Sequence, residues 1–184
     1  IVDQLPKITS SRVLEDLGVT SGKYFVASLH RQENLNSKSA FKNIFNALNL
    51  ICEEWELPIL VSTHPRLSAR HDMPELHDQI TLCSPFNFSD YMRLQKDSKG
   101  VISDSGSISE EASILGFSAI SPRERHERPE ALEKGTVVSC GSEPENVIRA
   151  LRHTLSSKPL EAVEDYSGSD FSRRVVSFIL SRLN

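Results

Sequence analysis

A chain of 184 residues, 25% of them charged and 38% hydrophobic, is long enough for one domain with a substantial core and ordinary in composition for a globular protein. Its formal net charge of −4 gives no electrostatic reason to expect a nucleic-acid partner, although a local pocket for one phosphate group is compatible with it. The scattered cysteines (Cys52, Cys83, Cys140) lack metal-ligand spacing and no apolar run approaches membrane-spanning length, so the expectation is no metal, no disulfide framework, no membrane partner and a reducing, cytoplasmic setting.

In chain order, apolar β-prone runs alternate with helical patterns. Residues 23–29 (KYFVASL) predict a strand, and 39–55 an amphipathic helix with Phe41, Ile44, Phe45, Leu48 and Ile51 on one face. Strands are expected at 57–63 and 80–84, then a helix at 88–98 with Ser89 as its N-cap. A short buried strand at 100–103 leads into a helix at 107–116 closed by Gly116. A strand at 117–121, a short helix at 128–135 begun by Pro129, and a last strand at 136–140 follow. Helices at 143–157 and 169–183 finish the chain. This alternation predicts an α/β fold with a mostly parallel sheet covered on both faces.

In such sheets ligands sit outside the carboxyl ends of strands, which selects the loops at 30–36, 63–66, 104–107 and 122–128. His30 and Arg31 follow an apolar strand directly and could bind a phosphate, with Glu33 orienting one of them; a polar surface loop with a salt bridge fits the same residues. His64 and Arg66 flank Pro65 at another strand end, where a helix-start proline beside an exposed histidine is the plain alternative. In SDSGSISEEA (103–112), Ser107 and Glu110 fit a capping box, Ser107 accepting from the Glu110 amide. That leaves Glu111, whose carboxylate could accept from two adjacent hydroxyls, beside a Ser–Gly turn whose N–H groups suit a phosphate and whose Gly106 permits close approach. The stretch lacks both G-x-G-x-x-G and a Walker lysine. In RERHERPE (123–130), residues 123–125 read as a solvated charged loop, whereas Arg128 is held near a helix start by Pro129.

Together HRQEN, SDSGSISEEA and ERPEALEKGT, in this order, resemble the non-hydrolysing bacterial UDP-N-acetylglucosamine 2-epimerase family, from about Gly22 to the last helix. The resemblance implies two Rossmann-like lobes arranged as in GT-B glycosyltransferases, with residues 1–184 as a single UDP-binding C-terminal lobe and the N-terminal lobe absent from this chain. It implies that His30 belongs to the catalytic set beside the diphosphate, with Arg31 as a further donor to it. Ser105, Gly106 and Ser107 would hold phosphate, Glu111 would take the ribose hydroxyls, and Tyr91 would line the uracil site. Arg128 and Glu127 would lie near the ligand, with Glu33, His64 and Arg66 at the site's edge. The implied reaction inverts sugar C2 by elimination and re-addition of UDP, needs no cofactor, and takes its acids from the N-terminal lobe; the full-length enzyme would be a homodimer. Two departures stand out: Ser107 replaces a glycine that many members carry, and STHPR looks like the branch serving UDP-N-acetyl-L-fucosamine synthesis. A GT-B glycosyltransferase lobe, a hydrolysing epimerase and a nucleotide-sugar sensing module are the alternatives.

Overall fold

The computed structural model describes residues 1–63, 67, 72–123, 134–157, 163–166 and 170–182. After a 3-10 turn at Val2–Gln4 come two short helices, α1 (Leu5–Ser10) and α2 (Val13–Asp16). Strand β1 (Phe25–Leu29) runs into α3 (Gln32–Asn36) and the long α4 (Lys38–Trp55). Next are β2 (Ile59–Thr63), β3 (Ile80–Cys83), α5 (Phe88–Asp97), β4 (Gly100–Ser103), α6 (Ile108–Leu115) and β5 (Ala119–Ser121). The described part closes with β6 (Val137–Ser139), α7 (Pro144–Ser156), a 3-10 turn at Glu164–Tyr166 and α8 (Phe171–Ser181).

The six strands form one parallel sheet in the order β3-β2-β1-β4-β5-β6, a Rossmann-like doubly wound arrangement. Period-2 alternation divides its side chains between two cores. Phe25, Ala27 and Leu29 of β1, Ile59 and Val61 of β2, Ile102 of β4 and Ile120 of β5 face the layer made by α4 and α7. Val26, Leu60, Val101 and Ala119 face the opposite layer, which holds α5 and α6. Buried on both faces, β1, β2, β4 and β5 read as apolar runs, which is why they were legible.

The expected elements within the described residues are present, with ends shifted by two residues at most. Helices α1 and α2 carried no periodic pattern because they are 6 and 4 residues long; each is pinned by one buried side chain, Ile8 or Val13. The loop expected at 30–36 contains α3. The N-cap of α5 is Asn87 rather than Ser89: Asn87 Oδ1 accepts from the Asp90 amide at 3.0 Å, with Asn87 in the extended region that a cap requires. Gly116 closes α6 as expected, in the left-handed region at φ 71°. Among the described residues no helix is long and apolar enough to cross a membrane. Helix α8 buries no residue, exposing Phe171 (72%), Phe178 (61%), Leu180 (60%) and Val176 (55%).

The cap assignment has a direct test in urea unfolding. Asn87→Ala should cost about 1 kcal/mol, while Ser89→Ala should stay within about 0.5 kcal/mol; the reverse order would return the cap to Ser89.

Candidate functional site

Strand order reverses direction at β1, whose neighbours are β2 and β4, so the crevice of the fold opens beyond the carboxyl ends of β1 and β4. Ser28 and Ser103 are register partners there, and the chain leaves these ends as His30-Arg31 and as Asp104-Ser105-Gly106-Ser107.

Asp104 is the anchor of this crevice. It is fully buried. Its Oδ1 accepts from the His30 amide at 2.9 Å, and its Oδ2 from the Arg31 amide at 3.1 Å and Asn34 Nδ2 at 3.0 Å. His30 Nδ1 lies 3.2 Å from Oδ1, and Arg31 Nε donates to the Asp104 carbonyl at 3.3 Å. Burial works against the charged form, but the His30 ring, the His30 amide and the Asn34 amide outweigh it and hold the carboxyl below its usual range. The His30 imidazole therefore has Nδ1 turned to a carboxylate, which directs Nε2 to the other side of the ring.

Arg31 reaches across to the Ser–Gly turn. A Cβ built on Gly106 would lie 2.9 Å from an Arg31 terminal nitrogen, so the bare glycine is what lets the guanidinium settle there. Within the turn, Ser105 N donates to Ser103 Oγ at 3.1 Å, and the Ser105 and Ser107 hydroxyls are 3.0 Å apart.

The expected capping box does not form. Ser107 precedes α6 with helical angles (φ −85°, ψ −2°), so its side chain makes no cap bond. Its hydroxyl instead donates to Glu111 Oε1, one turn on, at 2.6 Å, a bond to a full negative charge. Glu111 Oε2 accepts from Gln95 Nε2 at 2.9 Å, and Gln95 is itself fully buried on α5. A carboxylate has about four lone-pair positions. Two bonds aim it, and one further position on each oxygen suits a pair of adjacent hydroxyls. Beside it, the half-buried Tyr91 points its hydroxyl inward, next to Ser28. Burial, helped by the Glu111 and Asp104 charges, pushes this phenol well above its ordinary value and keeps it neutral.

Two further expectations change. Glu33 does not orient His30 or Arg31; its Oε1 accepts from Arg123 Nε at 3.2 Å. Arg123 is no solvated loop residue: it is 4% exposed, and its carbonyl accepts from Ser139 Oγ and the Gly141 amide. His64, Arg66, Glu127 and Arg128 lie outside the described residues, as does the helix expected at 128–135 except for its last two residues, Lys134 and Gly135, which form a turn. The structure thus gathers His30, Arg31, Ser105, Gly106, Ser107, Glu111 and Tyr91 around one crevice, and adds Asp104, Asn34 and Gln95. Asp104 stands directly after a strand buried at every position, and Gln95 sits on the buried stripe of α5 with Met92; both were polar residues at apolar addresses.

A depressed carboxyl contributes stability that is present above its unfolded-state value, about 3.9, and is lost as pH falls through the folded-state value. Asp104→Asn should therefore cost about 3 kcal/mol near neutrality, by turning one amide N–H group toward donors. The gap to the parent should shrink as both are unfolded at progressively lower pH below about 4. A gap constant with pH would remove the charge from this account.

Set beside known proteins, residues 1–180 match the sequence profile of the family described as UDP-N-acetylglucosamine 2-epimerase. The UDP-N-acetylglucosamine 2-epimerase of Methanocaldococcus jannaschii is 32% identical over 146 residues, 76% of this chain and 40% of that protein. The Bacillus subtilis enzyme of the same name is 29% identical over 181 residues, 93% of this chain and 46% of that protein. Among solved structures, the UDP-N-acetylglucosamine 2-epimerase from Rickettsia bellii superposes with TM-score 0.83 at 34% identity, over 98% of this chain and 50% of that one. The Methanocaldococcus jannaschii enzyme, in complex with UDP-GlcNAc and UDP, gives 0.84 at 25% identity, over 98% of this chain and 51% of that one. The chain spans about half the length of these relatives. With its profile matched almost end to end, the chain belongs to the UDP-N-acetylglucosamine 2-epimerase family.

Proposed function

We infer that this chain is the UDP-binding half of a UDP-N-acetylhexosamine 2-epimerase of the non-hydrolysing kind. The observation that carries the reading is the aim of Glu111. Ser107 and Gln95 hold one lone pair on each carboxylate oxygen and leave the opposite edge to a vicinal diol, such as a ribose presents. One helical turn before it, the 105–107 turn and the Arg31 guanidinium offer N–H donors for a phosphate. A phosphate and a ribose one turn apart describe a nucleotide, and Tyr91 beside Glu111 is placed to border its base. The complex of the Methanocaldococcus jannaschii relative with UDP-GlcNAc and UDP supports the same ligand class.

In the reaction, cleavage of the anomeric C–O bond leaves the electron pair on the β-phosphate oxygen of UDP, while the C2 proton passes to a base. Re-addition of UDP to the resulting glycal, with a proton delivered to the other face of C2, completes the inversion. Charge develops on the diphosphate, so donors fixed there lower the barrier. His30 is the catalytic candidate: with Nδ1 against Asp104, a protonated ring presents Nε2–H to the leaving phosphate. Arg31, and Arg128 by the family resemblance, add charge.

The lobe reading also accounts for α8. Apolar side chains exposed by 52 to 72% on one short helix form a surface that a soluble protein normally covers. A second lobe, the other half of proteins twice this length, is the occupant that fits. The isolated chain should then bind UDP and catalyse nothing. The whole enzyme, on this reading, is a cytoplasmic homodimer acting on a UDP-sugar.

Calorimetric titration with UDP tests the site. Glu111→Ala should weaken binding by about tenfold or more, the worth of hydrogen bonds to a charged group, and His30→Ala by less; if both variants bind as tightly as the parent, the site is misplaced. Gly106→Ala should barely change stability, because the Arg31 terminus can move aside, yet should weaken UDP several-fold by displacing that guanidinium.

A further inference from the structure

The Ser105 and Ser107 hydroxyls are 3.0 Å apart, and either could be the donor if the pair stood alone. Counting protons fixes the direction. A hydroxyl carries one proton to donate, and an ionised carboxylate carries none. Ser107 Oγ lies 2.6 Å from Glu111 Oε1, so Ser107 spends its proton there. At the contact between the two serines Ser107 can then only accept, and Ser105 donates. The hydroxyls form a directed chain, Ser105 to Ser107 to Glu111, with both protons turned toward the acid.

A phosphate meets these hydroxyls on unequal terms. Ser105 can swing its proton from a neutral oxygen to an anion and so exchange a weaker bond for a charge-assisted one. Ser107 would have to leave one anion for another, abandoning a short bond already made to a full charge. The family resemblance gives Ser107 to the phosphate, but its hydroxyl is committed to Glu111.

That commitment has a geometric effect on the acid. Gln95 is fully buried, and its Nε2 holds Glu111 Oε2 at 2.9 Å. One anchor leaves a carboxylate able to turn about the oxygen it holds. Ser107 sits four residues before Glu111 on the same helical face and holds the other oxygen. The Glu111 amide also donates to the Ser107 carbonyl at 3.0 Å, so the main chain fixes the distance between the two residues. With both oxygens held, the plane of the carboxylate is set. Two adjacent hydroxyls that each bond one oxygen need that plane, whereas a single hydroxyl can follow a carboxylate that turns. Ser107 is exposed and makes no cap bond to α6, so its bond contributes orientation rather than stability.

We propose that Ser107 is a positioning residue for Glu111 that sets a preference for ribonucleotides over 2′-deoxyribonucleotides, and that its hydroxyl takes no part in holding phosphate. The proposal rests on the nucleotide reading of the crevice and assigns the part of the nucleotide to which Ser107 answers.

The test is a set of NMR titrations of this chain with UDP, 2′-deoxy-UDP and inorganic pyrophosphate, at one ionic strength and without divalent cations. The parent should prefer UDP to 2′-deoxy-UDP by about tenfold, the worth of one hydrogen bond to a charged group. In Ser107→Ala that preference should shrink to about threefold or less, through weaker UDP binding, while pyrophosphate affinity stays within about twofold of the parent. Ser107→Thr, which keeps a hydroxyl, should restore the parent's preference. All three proteins should melt together, because no cap or buried contact is removed. A Ser107→Ala protein that discriminates between the two nucleotides as sharply as the parent overturns the positioning role. Loss of pyrophosphate affinity equal to the loss of UDP affinity makes Ser107 a phosphate ligand instead. Failure of Ser107→Thr to restore the preference shows that the hydroxyl was not its source. A parent that binds both nucleotides equally removes the diol from Glu111 itself, and the nucleotide reading falls together with this proposal; in every other outcome that reading stands.

Discussion

A carboxylate buried completely at the end of a strand is tolerable only if donors surround it, and Asp104 takes its donors from a segment 70 to 74 positions away in sequence. That requirement shapes the crevice. The two amides that neutralise Asp104 are those of His30 and Arg31, so the turn after β1 cannot drift relative to the turn after β4. The same carboxylate fixes which imidazole nitrogen faces inward and, through the Asp104 carbonyl, anchors Nε of Arg31. A negative charge at the base of the proposed anion site looks counterproductive. Here it is consumed by donors from below, while the Arg31 terminus lies over Gly106 on the far side.

The second half of the crevice follows the same logic on the other side of the β4 end. Glu111 is aimed by a hydroxyl and a buried amide, one from the start of its own helix and one from α5. Glu111 is thus preorganised by neutral donors, whereas Asp104 combines neutral amides with the His30 ring. Ser107 is one of the two residues that aim Glu111. Its hydroxyl shares the 105–107 turn with that of Ser105, so the proposed phosphate and diol positions would be joined at one side chain.

Much of this fold was legible because doubly covered parallel strands write themselves as apolar runs, and α4 and α7 carry strong helical periodicity. The candidate residues next to a strand end, His30 and Arg31, were singled out for the same reason, since the fold class says where ligands go, and Glu111 as the acid that helix capping left over. What stayed hidden depends on tertiary pairing. Nothing local distinguishes Asn87 from Ser89 as a cap, since both are good capping residues and the choice rests on where the backbone turns extended. The S-x-x-E pattern at Ser107 is genuine as a pattern, but helical angles at Ser107 and an acid one turn on redirect its hydroxyl. Arg123 looked solvated because charge density in sequence is blind to a neighbour ninety positions away.

The chemistry that these carboxylates cannot do bears on the division of labour proposed for the family fold. A base that removes a proton from carbon needs a carboxylate whose affinity for protons is ordinary or raised. Asp104 is shifted the opposite way and is sealed beneath the His30 loop. Glu111 holds Ser107 and Gln95, and Glu33 is committed to Arg123. None of these three carboxylates is thus suited to take a proton from a sugar carbon, which fits the proposed role of the crevice in receiving charge on a leaving diphosphate. An epimerase built on it needs its acid and base opposite this surface, and the two halves of the reaction, departure of the anion and transfer of the proton, would fall on different halves of the protein.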